Sequence, residues 1–576
     1  MIKSWNNRVK SFLVKFSEVP APASSGSVSS GETSGSELQG VGNIDEYDII
    51  KEGKAEILTP KEDKVFYNPI QQFNRDLSIM AIKSYIELRN EKWMEKQQKR
   101  EEAKAQKADN EPQSKKRKIT GPPKINILEA LSATGLRAIR YGHEIPHVNK
   151  IVANDLLPEA VKSIDRNINH AKLENVLESH LGDAIKYMAS TEEKFNVIDL
   201  DPYGTATPFM DLAIQAIEDD GMLLVTCTDA GVLAGSGYPE KCFALYGGNN
   251  FGNSFVNGEA NHEAGIRLIL GMISATAAKY KKSIEPVLSL SIDFYFRLFI
   301  RVKTSPIEVK RLSSKTMVVY GCNGCGHKIE QPLGRISGPS KFQYPKLVAG
   351  VSSECGFCEG TYTVAGPMWK GPIHDPKFID RILSINHESD KQVYGTTERI
   401  KGMLTVAKSE LSDVSFYFNL NHMSSVFKSP PISINEMVKA LGNLGYNVSL
   451  THAKKNCIKT NAPWEVVLQI NKEWLVLSNR EYLCKTKANE GNMSEKTKVK
   501  VEQLEADIGS NPNLLKASPG YRILKKLAAT PEDMKIDFVT ESEVSSSVNK
   551  LRNVKMVRYQ ENPTKNWGPK SRPSSK

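Results

Sequence analysis

The chain contains no apolar run long enough to cross a bilayer. Its most apolar stretch, Leu288 to Val302, is interrupted by Asp293, Arg297 and Arg301, whereas a spanning helix needs about 20 predominantly apolar residues. No transmembrane segment is expected. The cysteines lack the spacing of a secreted disulfide scaffold. Of eight, four form two C-x-x-C pairs, while Cys227, Cys242, Cys457 and Cys484 are scattered, which suits a reducing compartment and a metal site. The glycine fingerprint G-x-G-x-x-G is absent, which argues against NAD. No internal repeat is evident. Acidic residues are the minority charge, 66 against 77 Lys and Arg, for a net charge of +11. That balance favours a polyanionic partner, RNA or DNA, over an acidic small molecule.

What is present describes a soluble protein of two or more domains. A chain of 576 residues with 40% apolar content has ample length for real cores. Residues 1–17 carry Lys3, Arg8, Lys10 and Lys15 with no acid, and place Trp5, Val9, Phe12, Leu13 and Phe16 at helical spacing. That pattern fits a mitochondrial presequence and equally an ordinary N-terminal helix. Residues 18–43 are rich in Ser, Gly, Pro and Ala and read as linker. Tyr67-Asn68-Pro69 should form a turn, with a helix from Arg75 to Leu88 and a charged surface insertion at 91–120. The insertion ends Lys115-Lys116-Arg117-Lys118, a run that fits a nuclear-import signal or a solvated surface.

Between about 124 and 300, β-rich runs alternate with helical patterns. The expected strands are Lys124–Leu128, Lys150–Ala153, Lys194–Leu200, Met222–Cys227 and Glu285–Ile292. The expected helices are 135–143, 158–171, 207–218 and 262–279. This alternation implies a doubly wound, mostly parallel α/β sheet, with ligands beyond the carboxyl ends of its strands. After about 305 the pattern changes to short strands, a cysteine-rich insert and helices, so a second, α+β domain is expected at 305–485. From Asn489 onward the chain is polar and has no clear pattern, and Pro563 to Lys576 is a basic tail.

Acids stand at four successive strand ends. Ile125 to Leu128 closes on Glu129, followed by Leu131-Ser132-Ala133-Thr134-Gly135-Leu136-Arg137 entering a helix. The next strand ends at Asp155, placed to accept hydrogen bonds from the ribose of an adenosine cofactor. Leu181-Gly182-Asp183-Ala184 suits the third position, where an acid and adjacent backbone hold adenine. Each acid alone would more often be a cap or turn residue; their joint register argues for a site. Arg75 and Arg137 are candidates to pair bidentately with a cofactor carboxylate. At the fourth strand end, Asp199-Leu200-Asp201-Pro202-Tyr203-Gly204 gathers a carboxylate, a rigid carbonyl and an aromatic ring. Such a turn can accept the N–H protons of an exocyclic base amine and stack the base.

Cys322-Asn323-Gly324-Cys325 and Cys355-Gly356-Phe357-Cys358 make C-x₂-C…C-x₂-C, the pattern of a four-cysteine zinc ribbon with an inserted loop. With four thiolates the metal should be structural, and His327 a bystander. In the tail, Arg552, Lys555, Arg558, Lys565, Lys570 and Arg572 interleave with Tyr559 and Trp567, suiting phosphate contacts and base stacking. Lys310, Arg311, Lys315, Lys454, Lys455 and Lys459 add positive charge to the second domain.

These stretches resemble the tRNA (guanine-N2)-dimethyltransferases that modify guanosine 26. The resemblance rests on Phe66-Tyr67-Asn68-Pro69 through Asp76, Glu129 to Arg137, Asn154-Asp155, Asp201 to Gly204, Thr226-Cys227-Thr228-Asp229 and Gly366-Pro367-Met368-Trp369. Gln560 to Lys570 is similar to the tail of the fungal members. The resemblance implies a Rossmann-like class I methyltransferase domain at 45–304, joined to a tRNA-binding C-terminal domain with its zinc site at 322–358. The flanking 1–44 and 486–576 would be a targeting segment and a polar region with a basic tail. It implies transfer of two methyl groups from S-adenosylmethionine to N2 of guanosine, with Arg75, Arg137, Asp155, Asp183 and Ala184 as cofactor contacts. Asp201 and the Pro202 carbonyl would accept from N2, and Phe66 and Tyr203 would sandwich a flipped guanine. Direct displacement is expected, because no Pro-Cys pair offers a cysteine nucleophile. The partner implied is tRNA, with no obligate protein partner evident, and delivery to nucleus and mitochondrion is expected. Two rivals remain: an adenine or cytosine amino-methyltransferase of DNA, and a zinc-ribbon RNA-binding scaffold on an inactive methyltransferase fold.

Overall fold

Five apolar segments between Ile125 and Ile292 form strands because both of their faces are covered, which favours near-continuous Val, Ile and Leu over alternation. In the computed structural model, which describes residues 46–61, 67–105, 121–254, 256–488, 493–529, 534–554 and 557, they belong to one seven-stranded sheet. A hairpin of β1 (Tyr47–Glu52) and β2 (Ala55–Pro60) precedes it, followed by a long helix, α1 (Gln72–Ala105). The chain then runs β3 (Ile125–Glu129), α2 (Leu136–Glu144), β4 (Val148–Asp155), α3 (Pro158–Ala171), β5 (Leu177–Leu181), α4 (Ala184–Ser190) and β6 (Phe195–Leu200). It continues through α5 (Met210–Ala216), β7 (Ile217–Cys227), β8 (Lys282–Ile292) and β9 (Tyr295–Thr304). The sheet order is β5-β4-β3-β6-β7-β9-β8. Six strands run in one direction, and β9 alone is antiparallel to its neighbours β7 and β8. Strand order reverses between β3 and β6, which opens the crevice at which α/β sheets bind ligands.

Local chemistry explains most elements. Asn68 accepts a hydrogen bond from the Ile70 N–H at 3.1 Å, and Pro69 opens the short turn that leads into α1. Gly135 adopts φ 78° immediately before α2, a left-handed geometry that costs glycine little. Helix α3 starts with Pro158 at its first turn and ends where Lys172 turns left-handed. Residues 91–105, expected as an insertion, instead extend α1 into solvent. Their Glu, Lys, Gln, Arg and Ala content contains no helix breaker. The remainder of that insertion, 106–120, lies outside the described residues, as do residues 1–45 and the tail from 558.

Beyond 305, a three-stranded sheet carries the cysteine pairs, and helices follow. The region after Asn489, which showed no pattern in sequence, holds helices Glu495–Ala506, Pro519–Ala529 and Glu543–Asn553. The two halves share interior: Phe378, Ile379, Ile382, Ile400 and Leu404 pack in one core with Leu77, Ile82, Ile127 and Leu224. The second half also closes the outer edge of the sheet. Edge strand β8 donates its Ser289 N–H to His374 Nδ1 at 3.4 Å and its Ser291 N–H to His452 Nε2 at 3.1 Å. Its Val287 carbonyl accepts from the Asp375 N–H at 2.9 Å. Alternate residues of an otherwise unpaired edge are thereby satisfied.

Candidate active site

Strand β6 delivers Asp199 into the interior and Asp201 to the crevice. The Asp199 carboxylate, wholly buried, takes Arg297 Nη1 at 2.8 Å and Nη2 at 3.0 Å, Arg137 Nη1 at 3.1 Å and the Tyr141 hydroxyl at 2.6 Å. Burial alone would raise its titration, but Arg297 and Arg137 outweigh burial and hold it down to about 2. Arg297 reaches it from β9, opposite Thr226 of β7, and also bonds Thr226 Oγ1 at 2.8 Å and Ser78 Oγ at 2.7 Å. Nothing singled out Tyr141 or Ser78 in the sequence, and Arg297 stood out only as a charge within an apolar run.

Arg137, from α2, gathers two of the strand-end acids, Asp201 and Glu129, together with Asp199 of β6. It contacts Asp201 through Nη2, Asp199 through Nη1, and Glu129 Oε1 at 3.5 Å through Nε. Burial works against its charge, but Asp199 and Asp201 raise its titration well above the ordinary arginine range. Glu129 closes β3 and accepts from the Ser132 hydroxyl and, at 3.1 Å, from the Ala138 N–H. Burial pushes its carboxyl up to about 8. Arg75 is paired with an acid of the hairpin that precedes the large sheet. It pairs with Glu52 of β1, Nε to Oε1 at 2.6 Å, and donates to the Asn68 carbonyl at 3.0 Å.

On the cofactor side, Asp155 organises the loop after β3. Its carboxylate accepts the Ala133 N–H at 2.9 Å and the Leu157 N–H at 3.0 Å. The Gly182 N–H donates to the Asp155 carbonyl at 3.0 Å, joining the ends of β4 and β5. Asp183 caps α4 through the Ile185 N–H at 2.8 Å, and Ala184 is buried behind it. Leu156, Leu157 and Leu181 are exposed at these strand ends, an apolar rim suited to an adenosine. At the fourth strand end Pro202 is buried and Tyr203 is 54% exposed. The turn is pinned to the end of β7, with the Gly204 N–H on Thr228 Oγ1 at 2.6 Å and the Thr228 N–H on the Gly204 carbonyl at 2.8 Å. Phe66 lies outside the described residues.

The four cysteines converge. Sγ atoms of Cys322 and Cys358 are 3.4 Å apart, those of Cys325 and Cys355 are 3.7 Å apart, and all four lie within 4.8 Å of one another. Tetrahedral zinc with Zn–S of about 2.3 Å needs sulfurs about 3.8 Å apart. Glycines clear the space: a Cβ on Gly324 would stand 2.8 Å from Cys358 Sγ, and one on Gly360 3.2 Å from both Cys322 and Cys358 Sγ. The set fits one tetrahedral metal. His327 instead lies 3.2 Å from the Tyr362 hydroxyl.

A second buried cluster, His374, Glu410 and His452, also has its potential ligand atoms within 4.8 Å of one another. Backbone amides decide against a metal there. Each histidine accepts a β8 N–H on one nitrogen, so its other nitrogen carries the proton, and that of His452 reaches Glu410 at 2.6 Å. Lys459 already supplies the cation, 2.9 Å from Glu410 and 3.0 Å from Glu263. The cluster is an ion-pair network joining helix Asn261–Lys279 to the second half.

The reversed sheet order and the acids at successive strand ends define an α/β protein of the Rossmann-like methyltransferase type. The N2,N2-dimethylguanosine tRNA methyltransferase family matches residues 46–472. A mitochondrial tRNA (guanine(26)-N(2))-dimethyltransferase of Saccharomyces cerevisiae is 49% identical over 92% of this chain and 93% of its own. The corresponding Schizosaccharomyces pombe enzyme is 41% identical over 92% of this chain and 93% of its own. Among solved structures, Trm1 of Pyrococcus horikoshii in complex with S-adenosyl-L-methionine superposes with a TM-score of 0.57 at 25% identity. The match covers 73% of this chain and 99% of that one. The chain belongs to the N2,N2-dimethylguanosine tRNA methyltransferase family.

Proposed function

We infer that the protein transfers two methyl groups from S-adenosylmethionine to N2 of guanosine 26 in tRNA, giving N2,N2-dimethylguanosine. The observation that carries this reading is the Asp201-Pro202-Tyr203 turn directly after β6, where the strand order reverses, in a chain of this family. S-adenosylmethionine, when bound, supplies an electrophilic sulfonium methyl. Asp155 orders the loop that meets the ribose, Asp183 and Ala184 flank the adenine, and Arg137 and Arg75 are the basic groups for the carboxylate end. The guanine amine is conjugated into its ring and a poor nucleophile, so Asp201 takes the one N–H proton given up as each new bond forms, and the Pro202 carbonyl accepts a hydrogen bond from the amine. Tyr203 holds the extruded base, the second stacking role being the one the family resemblance implies for Phe66; such stacking returns about 1–3 kcal/mol per base against the cost of flipping.

Cys322, Cys325, Cys355 and Cys358 hold a structural zinc, and residues 305–485 carry the tRNA contacts. Residues 1–17 and 115–118 deliver the protein to mitochondrion and nucleus; fluorescent fusions with each segment deleted test that assignment. The enzymatic test is transfer of labelled methyl from S-adenosylmethionine to an unmodified tRNA transcript, followed by nucleoside digestion. Labelled dimethylguanosine that disappears when guanosine 26 is replaced supports the reading. Labelled adenosine or cytidine, or no label despite tight tRNA binding, overturns it. Asp201→Ala should lose turnover and keep cofactor affinity; equal loss of both would remove Asp201 from its role.

A further inference from the structure

One carboxylate beside the catalytic turn has no part in the chemistry above. Asp229 follows β7 and directly precedes the short helix Ala230–Leu233. An aspartate in that place ordinarily caps the helix with its side chain. Here its carbonyl takes the Val232 N–H at 2.8 Å, and the side chain makes no cap. Its two oxygens lie 2.9 and 2.8 Å from the Tyr246 hydroxyl, which is also 2.8 Å from Thr205 Oγ1. Thr205 directly follows the Asp201–Gly204 turn, and Thr228 pins Gly204 from the other side. Asp229 forms no ion pair among the described residues, whereas Asp201 is held by Arg137.

A partly exposed carboxylate whose partners are one hydroxyl and its own backbone N–H has spare acceptor capacity, since an ionised carboxyl offers about four lone-pair sites. Guanine presents adjacent N1–H and N2–H donors on its Watson–Crick edge. Adenine and cytosine present a ring-nitrogen acceptor at the equivalent place, which a carboxylate repels. The two N2 protons are consumed by the two methyl transfers, while N1–H survives both. We propose that Asp229, held by Tyr246, accepts the N1–H of the extruded guanine, selecting guanine and keeping the base in register through both transfers. This rests on the guanine-N2 reading above, and the group forms or breaks no covalent bond.

Burial raises the Asp229 carboxyl and the Tyr246 hydroxyl bond lowers it. The titratable groups facing it are Tyr246 and Cys242 from helix Pro239–Tyr246 and Cys227 from β7. Asp201 stands on the neighbouring turn. Removing the hydroxyl by Tyr246→Phe therefore moves the acid limb of kcat/KM to higher pH.

The test measures methyl transfer and competition. Asp229→Asn should lower kcat/KM about 10- to 100-fold, the range for one hydrogen bond to a charged group, with cofactor affinity unchanged and N2-monomethylguanosine accumulating. A tRNA with inosine at the target keeps N1–H without the amine, and one with 2-aminopurine keeps the amine without N1–H. The wild type should be inhibited better by the inosine tRNA, and Asp229→Asn should lose that preference. Activity within threefold of wild type with an unchanged product ratio, or no difference between the two competitors on the wild type, overturns the proposal. Should Asp229→Asn fail to fold, Tyr246→Phe decides: an unshifted acid limb overturns it. A wild type that makes no dimethylguanosine at all would instead sink the parent reading.

Discussion

Arg297→Met replaces a wholly buried guanidinium with an apolar side chain of similar reach. It removes both Arg297 bonds to Asp199 and those to Thr226 and Ser78. Asp199 keeps only Arg137 and Tyr141. Removing one partner of a fully buried pair costs about 3–5 kcal/mol. The titration of Asp199 gives an independent scale. A fall from 3.8 to about 2 corresponds to roughly 2–3 kcal/mol, shared among all its partners. Because the folded carboxyl titrates below its unfolded value, that stabilisation is complete above about pH 4 and is lost as pH falls toward 2. Arg297→Met raises the folded value, so acid destabilisation should begin at higher pH. Denaturant unfolding of Arg297→Met, Asp199→Asn and the double variant, at neutral pH and near pH 4, measures both effects. The single arginine variant should lose about 3–5 kcal/mol, and the double should lose at least about 2 kcal/mol less than the sum of the singles. A single-variant loss below about 1 kcal/mol, or strict additivity, would refute the charge-cluster account.

Cys358→Ser should release one zinc per chain by native mass spectrometry and lower the unfolding midpoint, whereas Cys484→Ser, at an exposed cysteine, should do neither. Asp155→Ala removes the acceptor of two loop amides and should weaken S-adenosylmethionine binding about tenfold or more by calorimetry, with tRNA affinity preserved. Lys459→Met leaves Glu263 and Glu410 without their shared cation. It should cost about 3–5 kcal/mol in denaturant unfolding, and Lys459→Arg should recover part of the loss.

The parallel part of the sheet was legible because its strands are apolar on both faces and their helices are amphipathic; 158–171 appeared at its observed limits. Strand β5, Leu-Glu-Ser-His-Leu, was read only from its end at Leu181, because its body is half-exposed and polar. Strand β9 was hidden in the apolar run that also contains the end of β8, since the tight hairpin between them leaves only Asp293 as a polar break. Helix Glu495–Ala506 shows little apolar face, burying Val501 and Leu504, whereas Pro519–Ala529 buries Ile523, Leu524 and Leu527 on one face within a polar surrounding sequence. Of the site, the acids were readable from their register with strand ends, and the cysteines from spacing. The partners Arg297, Tyr141 and Tyr246 were not, because their contacts join residues 58 to 98 positions apart or cross between loops.

The side chains that close β8 come from residues 374 and 452, far downstream of the sheet they complete. A nascent chain that has left the ribosome only as far as β9 carries every strand of the sheet but none of these caps. Its outer strand would present unpaired amides to any second copy, an aggregation hazard. Premature termination between β9 and His452 should therefore yield insoluble fragments rather than a free-standing catalytic half, and a shortened enzyme would need a redesigned edge before it could be made at all.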